Sequence, residues 1–141
     1  MTKYEELVYL QSAEHKKECC GFANFLAEAV TNYLECSRED IVFTVFFPET
    51  RTIGASRDCT EATIKETEKG FVWVTMEVAI KDEKTVYPSV SADIYLQKLQ
   101  DGFLIRIDRL LKTHFLSEED AIAMSEFCAT LFNFFTDRST R

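Results

Sequence analysis

The chain has 141 residues, of which 46% are hydrophobic and 13% aromatic, and its formal net charge is −8 at pH 7. This length and composition predict a single packed α+β domain over residues 1–141 and exclude a disordered chain. The acidity and the lack of any basic run argue against nucleic acid as a partner, because binding to phosphate requires clustered Lys and Arg.

The N-terminus MTKYEELVYL carries acidic residues where a signal peptide would have an apolar run, and no stretch approaches the length of a membrane span. We therefore expect a cytoplasmic protein that does not enter a membrane. The five cysteines, an odd number, are then expected to be reduced thiols. No nucleotide cofactor is expected, because Gly21, Gly54, Gly70 and Gly102 are too scattered for a phosphate-binding loop.

Residues 2–36 are predicted to form one long helix. Thr2 followed by Glu5 is a capping-box pair, which marks the first turn. Gly21 falls on the polar side and costs the helix about 1 kcal/mol relative to Ala, so it is a candidate for a kink or a break. The apolar arc at helical spacing, expected to be buried, consists of Val8, His15, Cys19, Phe22, Leu26, Val30 and Tyr33.

The stretch HKKECCGFANF, residues 15–25, raises the question of a metal or redox site. A structural zinc site needs two pairs of ligands at short spacing, and a cysteine nucleophile needs an adjacent base and a lowered pKa. Only His15, Cys19 and Cys20 lie close together, and the helical projection puts Cys19 on the buried side and Cys20 at its wet edge. We therefore predict no metal ligand and no catalytic residue here, but one core thiol and one boundary thiol.

After a turn at residues 37–40 the pattern changes to the alternation of β-strands. Asp101-Gly102 is a strong hairpin signal, and Pro88 should lie at a sheet edge or just before its strand begins. The predicted strands cover 41–47, 50–56, the polar segment 60–67, 71–81, 85–98 and 103–111. The expected inward positions of the two longest strands are Val72, Val74, Met76, Val78 and Ile80, and then Val86, Val90, Ala92, Ile94 and Leu96.

The last helix is predicted to begin after Ser117 as its N-cap, with Glu118, Glu119 and Asp120 at its positive end. Its apolar face consists of Ala121, Met124, Phe127, Cys128, Leu131, Phe132 and Phe135. The order of elements predicts an α+β fold, in which an antiparallel meander of five or six strands carries a long N-terminal helix and a C-terminal helix on one face.

The second face of this sheet is the main candidate for a binding surface. We predict binding residues Trp73, Tyr87, Asp93, Tyr95 and Arg106, because Trp, Tyr and Arg together are what protein interfaces favour. Two alternatives stay open, namely that segment 48–60 folds over this face or that the face forms a ligand groove.

Carboxylates could also converge on this face. Asp93 and Asp108 lie on adjacent predicted strands, Glu77 lies on a third, and Arg106 shares a face with Asp108 by alternation. We interpret these residues as a surface ion-pair ladder rather than an acid–base pair.

In size, charge and helix-flanked sheet the chain resembles the small acidic export chaperones of bacteria, although the predicted meander lacks their usual internal helix. That family acts as dimers that hold unfolded client segments, so the resemblance implies a dimeric binding protein. From the residues we predict a non-enzymatic protein–protein interaction module, a homodimer through the exposed sheet face centred on Trp73, Tyr95 and Arg106.

Two other functions remain as alternatives. One is a small-molecule-binding or enzymatic domain with a pocket between the helices and the sheet, where His114, Tyr33 and Asp93 would be the polar groups. The other is an inhibitor that uses its acidity to bind a basic protein partner, with strongly salt-dependent binding.

Overall fold

A computed structural model of the chain describes residues 2–47, 52–59, 65–66, 70–108 and 110–137. Within these residues the chain forms three α-helices and a seven-stranded antiparallel sheet, so the predicted α+β class is confirmed. In chain order the elements are α1 (Lys3–Leu10), α2 (Ala13–Leu34), β1 (Ile41–Phe47), β2 (Thr52–Ser56), β3 (Lys65–Glu66), β4 (Val72–Lys81), β5 (Val86–Leu99), β6 (Gly102–Ile107), β7 (Thr113–Leu116) and α3 (Ala121–Thr136).

The strands lie in the order β2-β1-β4-β5-β6-β7, and β3 pairs with β4. From β4 to β6 the strands follow one another as in the predicted meander. The prediction that the whole sheet is a meander is wrong, because β1 lies beside β4 and β2 lies at the edge of the sheet. The sequence predicts a strand over 103–111 and does not predict β7. Instead β6 ends at Ile107, Asp108 takes a positive φ of 33°, and the chain returns as β7. The predicted polar strand 60–67 lies outside the described residues except for Lys65–Glu66.

The hydrophobic core lies between one face of the sheet and the two helices α2 and α3. Along β4 and β5 the predicted inward positions from Val72 to Val78 and from Ala92 to Leu96 are buried. The prediction fails at the tip of the β4–β5 hairpin, where Ile80 is 38% and Val86 is 85% exposed. There β4 and β5 extend beyond their pairing with β1 and β6, so the ribbon projects past the core.

The predicted helix over 2–36 is two helices, separated at Gln11 and Ser12. Ser12 is the N-cap of α2, because its hydroxyl accepts from the His15 amide at 3.2 Å and donates to the Tyr9 carbonyl at 2.6 Å. Because the serine hydroxyl pairs with a carbonyl at the end of α1 and an amide at the start of α2, the backbone can stop one helix and begin another here. In the sequence the apolar arc continues through this break, so periodicity alone does not locate it. The prediction that the whole arc is buried is wrong at Val8 and Tyr33, which are 54% and 43% exposed.

The capping signals are partly confirmed. Thr2 and Glu5 form the predicted capping box of α1. The N-cap of α3 is Asp120 rather than Ser117, since the Asp120 carboxylate accepts a hydrogen bond from the backbone amide of Ala123 at 3.0 Å. Gly21 lies within α2 on an exposed side, so it is not the break between the helices.

Cys20 is bonded to Cys59 in a disulfide, which corrects the prediction of five reduced thiols and of an exposed Cys20. The two Cα atoms are 5.2 Å apart, and both side chains are buried. The Cys59 amide also donates to Oδ1 of Asn24, one turn further along α2, at 2.8 Å. The projection failed because the chain after β2 packs against this side of α2. The free thiols are Cys19, Cys36 and Cys128.

Candidate functional site: the outer face of the sheet

The face of the sheet turned away from α2 and α3 is called the outer face. Its side chains alternate with core residues along β4 to β7, and most are half-buried. Phe115 is the large apolar side chain of this face that is more exposed, at 48%. The members used below are Phe71, Trp73, Thr75, Glu77, Asp93, Tyr95, Leu104, Arg106, Thr113 and Phe115.

Three predicted site residues form one row across this face. Trp73 lies opposite Tyr95, and Tyr95 lies opposite Arg106, in adjacent strands. The Trp73 and Tyr95 rings are nearly parallel at 18°, with centroids 6.1 Å apart. The Arg106 guanidinium carbon is 4.7 Å from the Tyr95 ring centroid and 5.9 Å from that of Phe71. We call these four residues the Arg106 stack.

Arg106 does not join the predicted ion-pair ladder. Its side chain has no ion-pair or hydrogen-bond partner among the described residues, and its Nε is buried. The guanidinium leans toward Phe71, which lies on the opposite side of the row from Thr75 and Asp93. Asp108, its expected partner, lies beyond the end of β6 with a positive φ and so leaves the alternation.

Asp93 is oriented by a neighbouring strand rather than by a cation. Its Oδ1 accepts a hydrogen bond from Oγ1 of Thr75, which lies directly opposite on β4, at 2.7 Å. Its other carboxylate oxygen has no hydrogen bond to the described part of the chain. The structure therefore places Asp93 on the outer face, as predicted, next to the row of Trp73, Tyr95 and Arg106.

Tyr87 lies apart from the other four predicted site residues. The pairing of β4 and β5 shifts by one residue between Val78 and Ile80, and Tyr87 lies opposite Ile80. Because opposed residues share a side of the sheet, Tyr87 is on the side of Val78, not of Trp73. Its hydroxyl donates to Oδ2 of Asp82 in the hairpin turn at 2.8 Å.

The segment predicted as a possible cover, residues 48–60, does not provide one in its described part. Thr52–Ser56 is strand β2 at the edge of the sheet, and Cys59 is bonded to α2 on the core side. Residues 48–51 and 60 lie outside the described residues.

His15 joins α1, α2 and β5 through hydrogen bonds of its ring. Its Nδ1 is 3.0 Å from the Leu10 carbonyl oxygen, which can only accept, so Nδ1 carries the proton. Its Nε2 accepts from the backbone amide of Lys98 at 3.0 Å and lies 3.4 Å from Sγ of Cys19. No group of three or more His, Cys, Asp or Glu side chains suited to a metal ion occurs among the described residues.

The free thiols in the core are poor nucleophiles. Burial raises the pKa of the Cys19 thiol to about 12 and that of Cys128 to about 11. Both therefore remain protonated near neutral pH, whereas the thiolate is the reactive form.

A groove of about 670 Å³ lies between the N-terminal helices and the end of β5. The Tyr9 hydroxyl donates to the Glu18 carboxylate at the wall of the groove, and burial, followed by this hydrogen bond, raises the pKa of Tyr9. The groove is lined by Glu6, Tyr9, Leu10, Glu18, Gln97, Lys98, Leu99 and Gln100.

The polar groups predicted for a pocket between the helices and the sheet do not converge. His114 is buried edge-on against Phe127 of α3, with ring centroids 5.4 Å apart. Tyr33 contacts Phe132 at the end of α2, and Asp93 is on the other face of the sheet. These three residues therefore do not form a site.

Sequence reasoning missed Phe115 and Thr113, which extend the outer face onto β7. They lie opposite Leu104 and Arg106 of β6. The signal was the alternation in THFL, residues 113–116, but an alternation over four residues does not distinguish a strand from a loop.

Comparisons with protein-family models, with curated proteins and with solved structures found no match to this chain. None of the helices in the described residues is long and apolar enough to cross a membrane.

Proposed function

We propose that this chain is a non-enzymatic protein–protein interaction module that forms a homodimer through the outer face. The observation that carries the proposal is the Arg106 stack, in which strand register aligns Trp73, Tyr95 and Arg106 in one row. Large aromatic rings and arginine are the residues that supply most of the binding energy at interfaces. Their mutual contacts hold them in place before a partner arrives, which lowers the entropy lost on binding.

The exposed edge of the same face supports this proposal. Phe115 lies opposite Leu104, so an apolar pair borders the row at β6 and β7. An apolar border beside aromatic and charged groups is typical of interface composition. The cytoplasmic location remains a prediction, and the Cys20–Cys59 disulfide argues against it, because such bonds persist mainly in oxidising compartments.

Two phenylalanines provide a matched test of the outer face. Phe115 is 48% exposed on the outer face, and Phe132 is 43% exposed on α3 in the helix layer. Light scattering across a dilution series should give a dimer mass for the wild type. Phe115→Glu should weaken the dimer about ten-fold or more, equal to about 1.4 kcal/mol, and Phe132→Glu should leave it unchanged.

The opposite pattern would place the interface on the helix layer. A wild type that stays monomeric at the highest soluble concentration would remove the homodimer from the proposal. Retention of the native circular dichroism spectrum by both variants is the control that keeps either result interpretable.

A second candidate function is the binding of a small organic cation in the groove beside α1. The observation that favours it is the pair of carboxylates, Glu6 and Glu18, in a cavity whose volume suits a small ligand. The Lys98 ammonium is turned aside, 4.9 Å from the Phe103 ring centroid. A polyamine should raise the melting temperature of the wild type more than that of Glu18→Gln, and equal shifts would exclude this groove.

A further inference from the structure

We infer that Arg106 is a receptor for a carboxylate of a second copy of this chain and that Asp93 of that copy supplies the carboxylate. This inference rests on the proposed homodimer through the outer face. It adds the pair of residues that sets the orientation of the two copies.

Arg106 is held in a geometry suited to this role. The Tyr95 and Phe71 rings lie 4.7 Å and 5.9 Å from the guanidinium carbon and so restrict the position of the side chain. No described residue accepts a hydrogen bond from the guanidinium, so its N–H donors are not used by the described part of the chain. A planar guanidinium binds a carboxylate through two parallel hydrogen bonds, which makes a carboxylate the ligand that fits it.

Asp93 is complementary to Arg106 in charge, but the two side chains do not pair with each other in the structure. The Thr75 hydroxyl fixes one carboxylate oxygen at 2.7 Å, and the other has no hydrogen bond to a described residue. Arg106 leans toward Phe71, away from the Thr75 and Asp93 end of the sheet. Two opposite charges on one surface are thus left unpaired with each other.

A two-fold homodimer uses such a pair twice. In a two-fold interface, if residue i contacts residue j of the partner, then j also contacts i of the partner. One contact between Arg106 and Asp93 therefore implies a second by symmetry, and both charges of each copy are neutralised. This charge complementarity favours a second copy over a partner of uniform charge, which would satisfy only one of the two residues.

Two charge-reversed variants test this pairing directly. Arg106→Glu places two acids opposite each other in its own homodimer, and Asp93→Lys places two cations opposite each other. Each variant alone should dimerise about thirty-fold or more weakly than the wild type, because a close interfacial charge pair is lost and replaced by repulsion. A mixture of the two has opposite charges at both contacts, so native mass spectrometry should show the mixed dimer in preference to either homodimer.

Formation of the mixed dimer would also show that both variants are folded, because an unfolded chain cannot restore a dimer. Glu119→Lys changes the charge by the same amount outside the outer face and should dimerise like the wild type. A wild-type dimer that Phe115→Glu weakens, with no preference for the mixed dimer, would overturn the pairing of Arg106 and Asp93 and leave the outer-face dimer intact. A monomeric wild type would overturn both the outer-face dimer and the charge pair. In that case inorganic phosphate or acetate that raises the melting temperature of the wild type, but not of Arg106→Gln, would identify Arg106 as an anion site.

Discussion

Reduction of the bond between Cys20 and Cys59 should strongly destabilise the fold. The bond joins residues with a sequence separation of 39. Closing a loop of that length removes about 13 cal/mol/K from the entropy of the unfolded chain, which is about 4 kcal/mol at 25 °C. For a domain with a total stability of about 5–15 kcal/mol, that loss is a large fraction of the whole.

The assay is equilibrium unfolding in guanidinium chloride, with and without reductant, followed by the fluorescence of Trp73, the single tryptophan. The reduced protein should unfold at lower denaturant, and with a larger m value, because its unfolded chain is less compact. Reductant should have no effect on the double variant Cys20→Ala, Cys59→Ala, which separates loss of the bond from other actions of the reductant.

Thiol counting on the unfolded, unreduced protein checks the premise. The structure predicts reaction at Cys19, Cys36 and Cys128 only, and at all five cysteines after reduction. Five reactive thiols before reduction would refute the disulfide itself. A confirmed disulfide whose reduction leaves the unfolding midpoint unchanged would refute the entropic reasoning, since a constrained unfolded state is its only source of stability there.

Further predictions concern two glycines and a histidine. Gly21→Ala should raise the free energy of unfolding by about 1 kcal/mol, because nothing lies within 4 Å of the added Cβ, and an unchanged midpoint in chemical denaturation would contradict this. Gly70→Ala should lower it, because Gly70 has φ +77° and an added Cβ would be 2.9 Å from Cβ of Leu10; an equal or higher midpoint would show that Leu10 moves freely. Burial, and then the charge of Lys112, lower the pKa of His114 below 6.5, so the unfolded chain takes up the proton first and stability falls as the pH drops below 6.5. The His114→Leu variant should lack this loss, and parallel pH curves for the two proteins would contradict it.

Local features of the fold were accessible from the sequence. The capping box of Thr2 and Glu5 and the buried alternation of Val72 to Val78 depend on neighbours within a few residues, and both are confirmed. The break at Ser12 was missed because the apolar arc continues across it, and an N-cap serine in a helical pattern is easily read as a tolerated polar residue.

Features that depend on distant contacts could not be predicted in the same way. The disulfide from Cys20 depends on how the chain returns to α2 after β2. A one-residue shift in the pairing of two strands moves Tyr87 to the other side of the sheet, although the alternation in the sequence is unbroken. The lean of Arg106 toward Phe71 rather than Asp93 is a choice of rotamer, which residue spacing does not determine.

The most direct test of the homodimer through the outer face uses Trp73 as an internal probe, because it lies in the row with Tyr95 and Arg106. Trp73 emission and light-scattering mass would be measured together through a dilution series of the wild type. If the outer face is the interface, dissociation exposes Trp73 to water, so its emission should shift to longer wavelength with the same midpoint as the fall in mass. A fall from dimer to monomer mass without any change in Trp73 emission would contradict this, and so would a monomer mass at every concentration.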